Sequence, residues 1–423
     1  MERGWPRGQS LFPFLTFLYL CESRPATRFA REGPPQKQIR IMRRILSCTA
    51  LAVLLTFTTF AQNVLSGRKA TSPIITEDSV TFRLAADYAT SVKLSGSWQK
   101  APVDMRRGED FIWTVTIQKL TPDIYTYCFI VDGVEAPDPS NPSSLSLPEG
   151  IRSIFLKPGS KSDNFRDISA GGSISAVWYD SPSLGMKRRM WVYTPADYGQ
   201  NRRMKYPVLY LLHPEGGNED SWLTLGRAAQ ILDNLIAKGK AQPMLVVMPN
   251  CDARLASGLS LTGSPAPLSD RNAGPGLFET SLVRDIIPYV ESHYNVHKGK
   301  SYRAVSGAGT GGEHALRLSC QYPDLFAYVC PLSVGFRGMN RSGSPVFFDE
   351  ERTLAYFDRL AKSRLSLVWT ACGSEDPVYD DAQRLDRELT QHNVWHSFFV
   401  TGGGHDWNNW RHYLDMFLPI LFK

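Results

Sequence analysis

Residues 303–312 read Arg303-Ala304-Val305-Ser306-Gly307-Ala308-Gly309-Thr310-Gly311-Gly312, an apolar run that changes into a glycine-rich stretch. The pattern predicts a short buried strand, a tight turn, and then a helix that begins near Glu313 and His314. Glycine adopts positive φ without steric cost, so Gly309 suits the tip of such a turn. The stretch therefore predicts a sharp strand-to-helix elbow.

The same alternation of apolar runs and longer helical stretches continues over 173–423. Runs suited to buried strands lie at 190–193, 208–212, 244–248, 303–305, 328–332 and 366–369. Helical segments between them include 228–237, 282–294 and 313–321. Apolar strands separated by helices predict an α/β domain, in which helices cover both faces of a mostly parallel sheet.

Residues 74–157 have a different pattern, in which apolar and polar residues alternate in short runs such as 80–84, 92–94 and 111–115. This period of two predicts a small all-β sandwich. A polar stretch with Gly and Ser, 158–172, is the predicted linker. Two domains also fit the 423 residues, since single cores stop growing near about 250 to 300 residues.

The leader, residues 1–61, has the pattern of a secretory signal. Met42-Arg43-Arg44 is a basic segment, an apolar segment follows to residue 60, and Thr59-Phe60-Ala61 is a cleavage site. The alternative is a membrane anchor, but about 16 apolar-rich residues fall short of the roughly 20 that span a bilayer. We therefore expect a secreted or periplasmic protein with a signal at about 42–61, and Met42 is a candidate start.

Charge and cysteine content exclude several classes of partner. The net charge of +6 belongs to the leader, because the rest of the chain holds 47 − 9 = 38 basic and 41 − 3 = 38 acidic residues. A neutral remainder gives no case for nucleic acid or an anionic membrane. The cysteines after the leader are odd in number and show neither metal spacing nor a disulfide framework, so we expect most to be buried, and no metal or cofactor. They are Cys128, Cys251, Cys320, Cys330 and Cys372.

The N-terminal sandwich resembles a known domain type. The matching segments are 94–98 (Leu-Ser-Gly-Ser-Trp), 112–113 (Ile-Trp), 125–133 (Tyr-Thr-Tyr-Cys-Phe-Ile-Val-Asp-Gly) and 138–142 (Asp-Pro-Ser-Asn-Pro). They resemble the immunoglobulin-like early-set domain that precedes many glycan-active enzymes, which is related to a starch- and glycogen-binding module (isoamylase N-terminal, CBM48-like). Trp98 and Trp113 could stack on sugar rings; the alternative is that at least one lies in the core.

The second half resembles an esterase family. Besides the elbow, the matching segments are 189–195 (Arg-Met-Trp-Val-Tyr-Thr-Pro), 206–213 (Tyr-Pro-Val-Leu-Tyr-Leu-Leu-His), 322–326 (Tyr-Pro-Asp-Leu-Phe), and 402–407 (Gly-Gly-Gly-His-Asp-Trp) with Trp410. They are similar to the esterase D or carbohydrate esterase family 1 type, which contains feruloyl and acetyl-xylan esterases, enterochelin esterase, S-formylglutathione hydrolase and mycolyltransferases. The resemblance implies an α/β-hydrolase fold.

The resemblance also implies a catalytic triad, of which one member is missing. In this fold the elbow reads G-x-S-x-G and the order is nucleophile, acid, histidine. His405 matches the base and Asp376 the acid, but Gly309 stands where the serine belongs. Of the nearby hydroxyls, Ser306 lies in the strand and Thr310 should face away from the pocket, so we expect neither to be the nucleophile.

A second departure lies in the loop that stabilises the oxyanion. The family has a glycine-rich loop after its histidine, whereas this chain reads His213-Pro214-Glu215-Gly216-Gly217. Proline has no N–H to donate, and a carboxylate at Glu215 could repel an oxyanion. The alternative is that Glu215 points to solvent and the loop is shifted. The backbone N–H of Thr310 is the other donor that the resemblance implies.

Three functions remain open from the sequence. The first is a secreted pseudoenzyme that keeps a pocket for an esterified plant polysaccharide, feruloylated or acetylated. The second is a working carbohydrate esterase that uses a non-standard nucleophile or an activated water, and the third is a structural or interaction protein that binds no glycan. Trp222 and Trp407 are further candidate ligand contacts, and the loop 252–275 is expected to border the cleft.

Overall fold

The computed structural model describes residues 70–147, 150–201, 203–253, 276–336 and 350–423, and Lys69–Lys423 form one compact unit. The predicted signal at 42–61, the candidate start Met42 and most of the loop 252–275 lie outside the described residues. None of the helices in the described part of the chain has the length and apolar character that a membrane span requires.

The N-terminal part consists of two antiparallel sheets that share one core. One sheet has the strand order β1-β2-β6-β5; the other has the order β4-β3-β7-β10-β9, with β8 paired to β7. The ring of Phe82 in the first sheet lies 4.7 Å from Tyr127 and 5.6 Å from Phe155 in the second. The strands are β1 (Ile74–Ile75), β2 (Ser79–Ala85), β3 (Val92–Gly96), β4 (Val103–Asp104), β5 (Arg106–Arg107), β6 (Ile112–Gln118), β7 (Ile124–Val131), β8 (Val134–Ala136), β9 (Ser144–Leu147) and β10 (Gly150–Leu156).

The C-terminal part is built on one mixed eight-stranded sheet with the order β11-β12-β14-β13-β15-β16-β17-β18. The first two pairings are antiparallel, and every pairing from β14 to β18 is parallel. The strands are β11 (Ser173–Ser181), β12 (Met186–Thr194), β13 (Val208–Leu212), β14 (Leu245–Pro249), β15 (Arg303–Ala308), β16 (Tyr328–Leu332), β17 (Leu367–Gly373) and β18 (Ser397–Thr401).

Helices cover both faces of this sheet. They are α1 (Ser221–Thr224), α2 (Ala228–Ala237), α3 (Leu277–Ser281), α4 (Ile287–His293), α5 (Thr310–Gln321), α6 (Glu350–Lys362), α7 (Tyr379–Gln391) and α8 (Trp407–Phe417), with a π-helical turn, Leu282–Ile286, between α3 and α4. Because side chains alternate along a strand, Leu209 and Leu211 pack in one core with α2 and α8, whereas Val208 and Tyr210 pack in another with α3, α4 and α5.

The segment predicted as a linker packs against the C-terminal part. Residues Ser160–Phe165 form a 3-10 helix in which Ser162 and Phe165 are buried. The Asn234 side chain in α2 donates hydrogen bonds to the carbonyl oxygens of Asn164 and Arg166, at 3.2 and 2.8 Å. The segment that polar composition predicts as a linker is therefore packed against helix α2.

A buried ion pair joins the sandwich to helix α8. Asp123 precedes β7 and accepts hydrogen bonds from Arg411 Nε and Nη2 at 3.0 and 2.8 Å. Arg411 Nη1 also donates to the carbonyl oxygen of Leu225 at 2.7 Å, and Nη2 to that of Ile124 at 2.9 Å. Both partners of the ion pair are at most 3% exposed, so this contact lies inside the compact unit.

The observed elements correct several predicted boundaries. Helix α5 begins at Thr310, directly after Gly309, and not near Glu313. Strands β11 and β18 and helices α6 to α8 were not predicted from apolar runs. Both strands lie at the edges of the sheet and keep exposed residues, so they lack the continuous apolar pattern of the central strands.

Candidate active site

The elbow is present and has the backbone geometry of a strained turn. Strand β15 ends at Ala308, Gly309 has φ 51° and ψ −122°, and α5 starts at the next residue. The N–H of Gly309 donates to the carbonyl oxygen of Leu332 at 3.0 Å. A Cβ at Gly311 would lie 2.4 Å from the carbonyl oxygen of Leu212, so close packing of the turn against β13 accounts for that glycine.

His405 and Asp376 come together beside the elbow. His405 lies between β18 and α8, Asp376 lies after β17, and both carboxylate oxygens are 3.0 Å from Nδ1 of His405. A proton on Nδ1 therefore faces the carboxylate, which leaves Nε2 as an acceptor in the neutral ring. The Asp376 side chain is fully buried and the His405 side chain is 29% exposed.

The surroundings of Asp376 favour its ionised form. Burial raises the pKa of this carboxyl, but the hydrogen bond from His405, the backbone N–H of Val378 at 3.0 Å and the charge of His405 together bring the pKa below its usual value. An ionised Asp376 can orient His405 and stabilise its protonated ring.

Nε2 of His405 faces the place that a side chain at position 309 would occupy. A Cβ added to Gly309 would lie 3.0 Å from Nε2 of His405 and 3.7 Å from Cβ of Pro214. Of the two hydroxyls considered as substitutes, Ser306 is fully buried and donates to the carbonyl oxygen of Cys330 at 2.7 Å, and Thr310 is half-buried at the start of α5. The structure thus brings His405, Asp376 and Gly309 together and leaves Ser306 outside the group.

Two residues that sequence analysis did not single out as site residues support this pair. The ring of Trp410 packs edge-on against His405 at 5.0 Å, and its Nε1 donates to Ser333 Oγ at 3.0 Å. Ser333 follows β16, has φ 51°, and its hydrogen bond contributes to the lowered pKa of Asp376. Its position at the carboxyl end of a predicted parallel strand was the feature of the sequence that could have identified Ser333 as a site residue.

The loop 213–217, which corresponds to the oxyanion loop of the resembling family, is held in place by His213. His213 Nε2 accepts a hydrogen bond from the N–H of Cys251 at 2.9 Å, so Nδ1 donates to the carbonyl oxygen of Pro214 at 2.9 Å. Burial lowers the pKa of His213, which favours this neutral ring. Pro214 is buried and Glu215 is exposed, which is the arrangement left open as the alternative for Glu215.

The candidate aromatic contacts divide into buried and accessible rings. Trp222 is 1% exposed and donates from Nε1 to the carbonyl oxygen of Leu212 at 2.8 Å. Trp113 is 7% exposed and lies in the core of the sandwich, and the half-buried Trp98 stacks on Phe82 at 5.4 Å against the same core. These positions correct the expectation that Trp113 and Trp222 contact a ligand, whereas the contact expected of Trp98 stays a prediction. Trp407 is half-buried and packs between Trp222 and Trp410, at 5.1 Å from each.

The cysteines of the described residues are buried, and a metal-binding cluster is absent from these residues. All five cysteines after the leader are buried and free, as expected for small apolar residues. No group of three or more His, Cys, Asp or Glu suited to a metal ion occurs in the part of the chain that the structure describes.

Comparisons with known proteins agree with this fold. A protein family described as "Putative esterase" matches residues 181–420, more than half of the chain. The chain is 27% identical over 350 residues to an endo-1,4-beta-xylanase/feruloyl esterase of Xylanibacter ruminicola, a match that covers 81% of this chain and 44% of that protein. It is 25% identical over 257 residues to endo-1,4-beta-xylanase Y of Acetivibrio thermocellus, which covers 55% of this chain and 21% of that protein. The chain thus spans less than half the length of these curated relatives.

Solved structures are similar as well. A CE1 ferulic acid esterase of Anaeromyces mucronatus in complex with ferulic acid has a TM-score of 0.50 and 26% identity, covering 62% of this chain and 95% of that one. The enterobactin esterase of Shigella flexneri has a TM-score of 0.59 and 18% identity, covering 82% of this chain and 94% of that one, and this likeness concerns the fold. The chain belongs to the esterase family and has an α/β-hydrolase-like fold.

Proposed function

We propose that this member of the esterase family binds esters of plant polysaccharides in a cleft beside Gly309 and His405 and has lost efficient hydrolysis. The observation that carries the proposal is the intact elbow with glycine at its tip. The turn and the His405–Asp376 pair fit the inherited machinery, but Gly309 offers no oxygen to attack an ester. Removal of a triad member from a sound enzyme leaves only about 10³- to 10⁴-fold acceleration over water.

The oxyanion loop supports impaired chemistry. Pro214 brings no N–H to the loop, and its Cβ lies 3.7 Å from the position of a Cβ at Gly309. The carbonyl oxygen of Pro214 accepts from Gly217 at 3.1 Å, which closes the loop as a turn. The N–H of Thr310, at the start of α5, remains as a donor toward a carbonyl or carboxylate oxygen, because the first N–H groups of a helix have no partner within it.

The class of ligand is proposed from the relatives. One curated relative is described as an endo-1,4-beta-xylanase/feruloyl esterase, and one similar structure is a ferulic acid esterase bound to ferulic acid. We therefore assign this chain an esterified plant cell-wall polysaccharide or oligosaccharide, feruloylated or acetylated, as its ligand. The predicted signal at 42–61 makes the protein secreted or periplasmic in this proposal. N-terminal sequencing of the exported protein tests the start at Met42 and cleavage after the signal, and recovery of residues 1–41 would contradict both.

The test of function combines turnover and binding. Purified protein is mixed with methyl ferulate and an aryl acetate, with His405→Ala as the control for a contaminating esterase, and binding of methyl ferulate is measured by calorimetry. We expect saturable binding and no turnover above the control. Turnover that disappears in His405→Ala contradicts the pseudoenzyme, and absence of both binding and turnover leaves a structural or interaction protein.

A second candidate function is hydrolysis by an activated water, which the intact His405–Asp376 pair favours. His405 Nε2 would take a proton from a water beside Gly309 while the water oxygen attacks the acyl carbon. The tetrahedral intermediate would then expel the alkoxide, which takes the proton back from His405. This route forms no acyl-enzyme, so it predicts turnover without a burst phase and without label from a fluorophosphonate probe; a labelled residue would instead identify another nucleophile.

A further inference from the structure

The antiparallel ribbon at the edge of the large sheet carries an exposed aromatic surface. Strand β11 is the edge strand, and its Ile174 and Trp178 are each 41% exposed. Trp178 pairs with Arg189 and Ala176 pairs with Trp191 across the ribbon. Residues directly opposite each other share a face, so Trp178, Arg189 and Trp191 lie side by side on the same face of β11 and β12.

The polar groups of this face are fixed by hydrogen bonds. Arg189 Nε donates to Glu219 Oε1 at 2.9 Å, and its Nη2 donates to Asp220 Oδ2 at 3.1 Å. Trp191 Nε1 donates to the other oxygen of Asp220, and the guanidinium carbon of Arg189 lies 5.6 Å from the centre of the Trp191 ring. Glu219 is held in turn by Asn250 Nδ2 at 3.0 Å. Arg189 and Asp220 keep side-chain exposures of 24% and 33%, so a ligand can reach both.

A chain of packed aromatic rings connects this face with the candidate active site. Asp220 is the residue before α1, whose Trp222 packs on Trp407 at 5.1 Å. Trp407 packs on Trp410, and Trp410 packs on His405. In addition, Met190 at the centre of β12 pairs with Pro249 at the carboxyl end of β14, so the start of β12 lies at the edge of the sheet where the elbow is.

We propose that Trp178, with Arg189, Trp191 and Asp220, forms a binding surface for the unesterified main chain of a neutral β-1,4-linked glycan of the xylan type. An exposed indole offers a flat apolar face to a sugar ring. A fixed carboxylate accepts hydrogen bonds from the sugar hydroxyls, and a fixed guanidinium donates hydrogen bonds to them. The face holds two basic groups, Lys187 and Arg189, against three acidic ones, Asp180, Glu219 and Asp220. This balance disfavours an anionic ligand. The inference rests on the proposed function, since the glycan bound here would carry its ester to the cleft.

The test uses β-1,4-xylohexaose, which carries no ester, with the full chain and calorimetry. We expect Trp178→Ala to weaken binding about tenfold or more through loss of the stacking contact, and Trp178→Tyr to keep most of the affinity. The matched control is Trp395→Ala, because Trp395 is 68% exposed elsewhere on the surface. The control should bind like the unmodified protein. Both positions are exposed, so circular dichroism should show folded variants.

Several results would overturn the proposal of a glycan-binding surface at Trp178. They are failure of the unmodified protein to bind xylohexaose, unchanged binding by Trp178→Ala, and equal weakening by Trp395→Ala. Sedimentation that shows a dimer, dissolved by Trp178→Ala, would assign the face to a second copy of the chain. Methyl ferulate binding is measured separately on the same samples. If the unmodified protein binds methyl ferulate but not xylohexaose, this surface alone is refuted, whereas binding of xylohexaose without methyl ferulate refutes the ester pocket alone.

Discussion

At Gly309 the backbone keeps a conformation that costs any other residue free energy. Its φ of 51° and ψ of −122° lie in a region that L side chains rarely adopt. A serine in this place would be strained in this backbone conformation but would supply a hydroxyl oxygen. Glycine adopts the same conformation at little cost in free energy. The elbow geometry is therefore compatible with glycine at its tip.

Gly309→Ser should restore a nucleophile at a cost in stability. The new Cβ would lie 3.0 Å from His405 Nε2, so the ring must move by a few tenths of an ångström to accept the hydroxyl proton. We expect a decrease of about 1–3 kcal/mol in the free energy of unfolding from backbone strain. We also expect a burst of product from methyl ferulate, measured by stopped flow.

Gly309→Ala is the matched control, because it has the same Cβ and the same strain without the oxygen. It should lose similar stability and give no burst. If Gly309→Ser also gives none, Pro214→Gly and Glu215→Gly are added to restore a glycine-rich oxyanion loop; continued inactivity would count against the elbow assignment.

Among the elements, helix α3 is tied to the elbow helix α5 by a buried carboxylate. Glu279 is fully buried, and its Oε1 lies 2.9 Å from Nδ1 of His314 and 2.7 Å from Nη1 of Arg317. Burial raises the pKa of Glu279, but the charge and hydrogen bond of His314 and the charge of Arg317 outweigh it and lower the pKa from 4.5 to about 2. The contacts of Glu279 with His314 and Arg317 help to hold α5 in place, and with it the turn at Gly309.

Acid should therefore weaken the protein through Glu279. A folded-state pKa below the unfolded one stabilises the protein above about pH 4.5, and this contribution is lost as the pH falls toward 2. The shift corresponds to a contribution on the order of 3 kcal/mol. In urea titrations, Glu279→Gln should be less stable than the unmodified protein at pH 7, and the difference should shrink between pH 4.5 and 2. Asp324→Asn, which changes an exposed carboxylate near Lys300, should show little difference at any pH. A gap for Glu279→Gln that does not depend on pH would contradict this account.

The limits of prediction from sequence also show at the level of elements. Apolar runs located the central strands, since Val208–Leu212 and Tyr328–Leu332 are buried along their whole length. The edge strand β11 contains Ser175 and Asp180 beside exposed Trp178, so hydrophobic pattern alone could not identify it. Motifs located His405 and Asp376, whereas the contact of Ser333 with Trp410 depends on tertiary packing that no local pattern encodes.

For the molecule as a whole, a buried ion pair connects the sandwich with helix α8, which packs on the large sheet. Arg411 binds Asp123 of the sandwich, and it is also hydrogen-bonded to Asn408 in its own helix. His412 Nε2 lies 3.2 Å from the second oxygen of Asp123. Helix α8 begins two residues after His405, so the element beside the His405–Asp376 pair is held partly by the N-terminal sheets. This contact gives the sandwich a structural role, consistent with the burial of Trp113 in its core.

Breaking this pair should destabilise both parts together. Asp123→Ala leaves Arg411 buried without its counter-charge, and removal of one partner of a buried pair costs about 3–5 kcal/mol. We expect a lower melting temperature in a single transition that near-UV and far-UV circular dichroism report at the same temperature. The double variant Asp123→Ala/Arg411→Met removes the orphaned charge as well, and it should recover part of the loss. Separate transitions in the unmodified protein, or a double variant no more stable than Asp123→Ala, would mean that the sandwich folds independently and that the ion pair does not couple it to the helix beside His405.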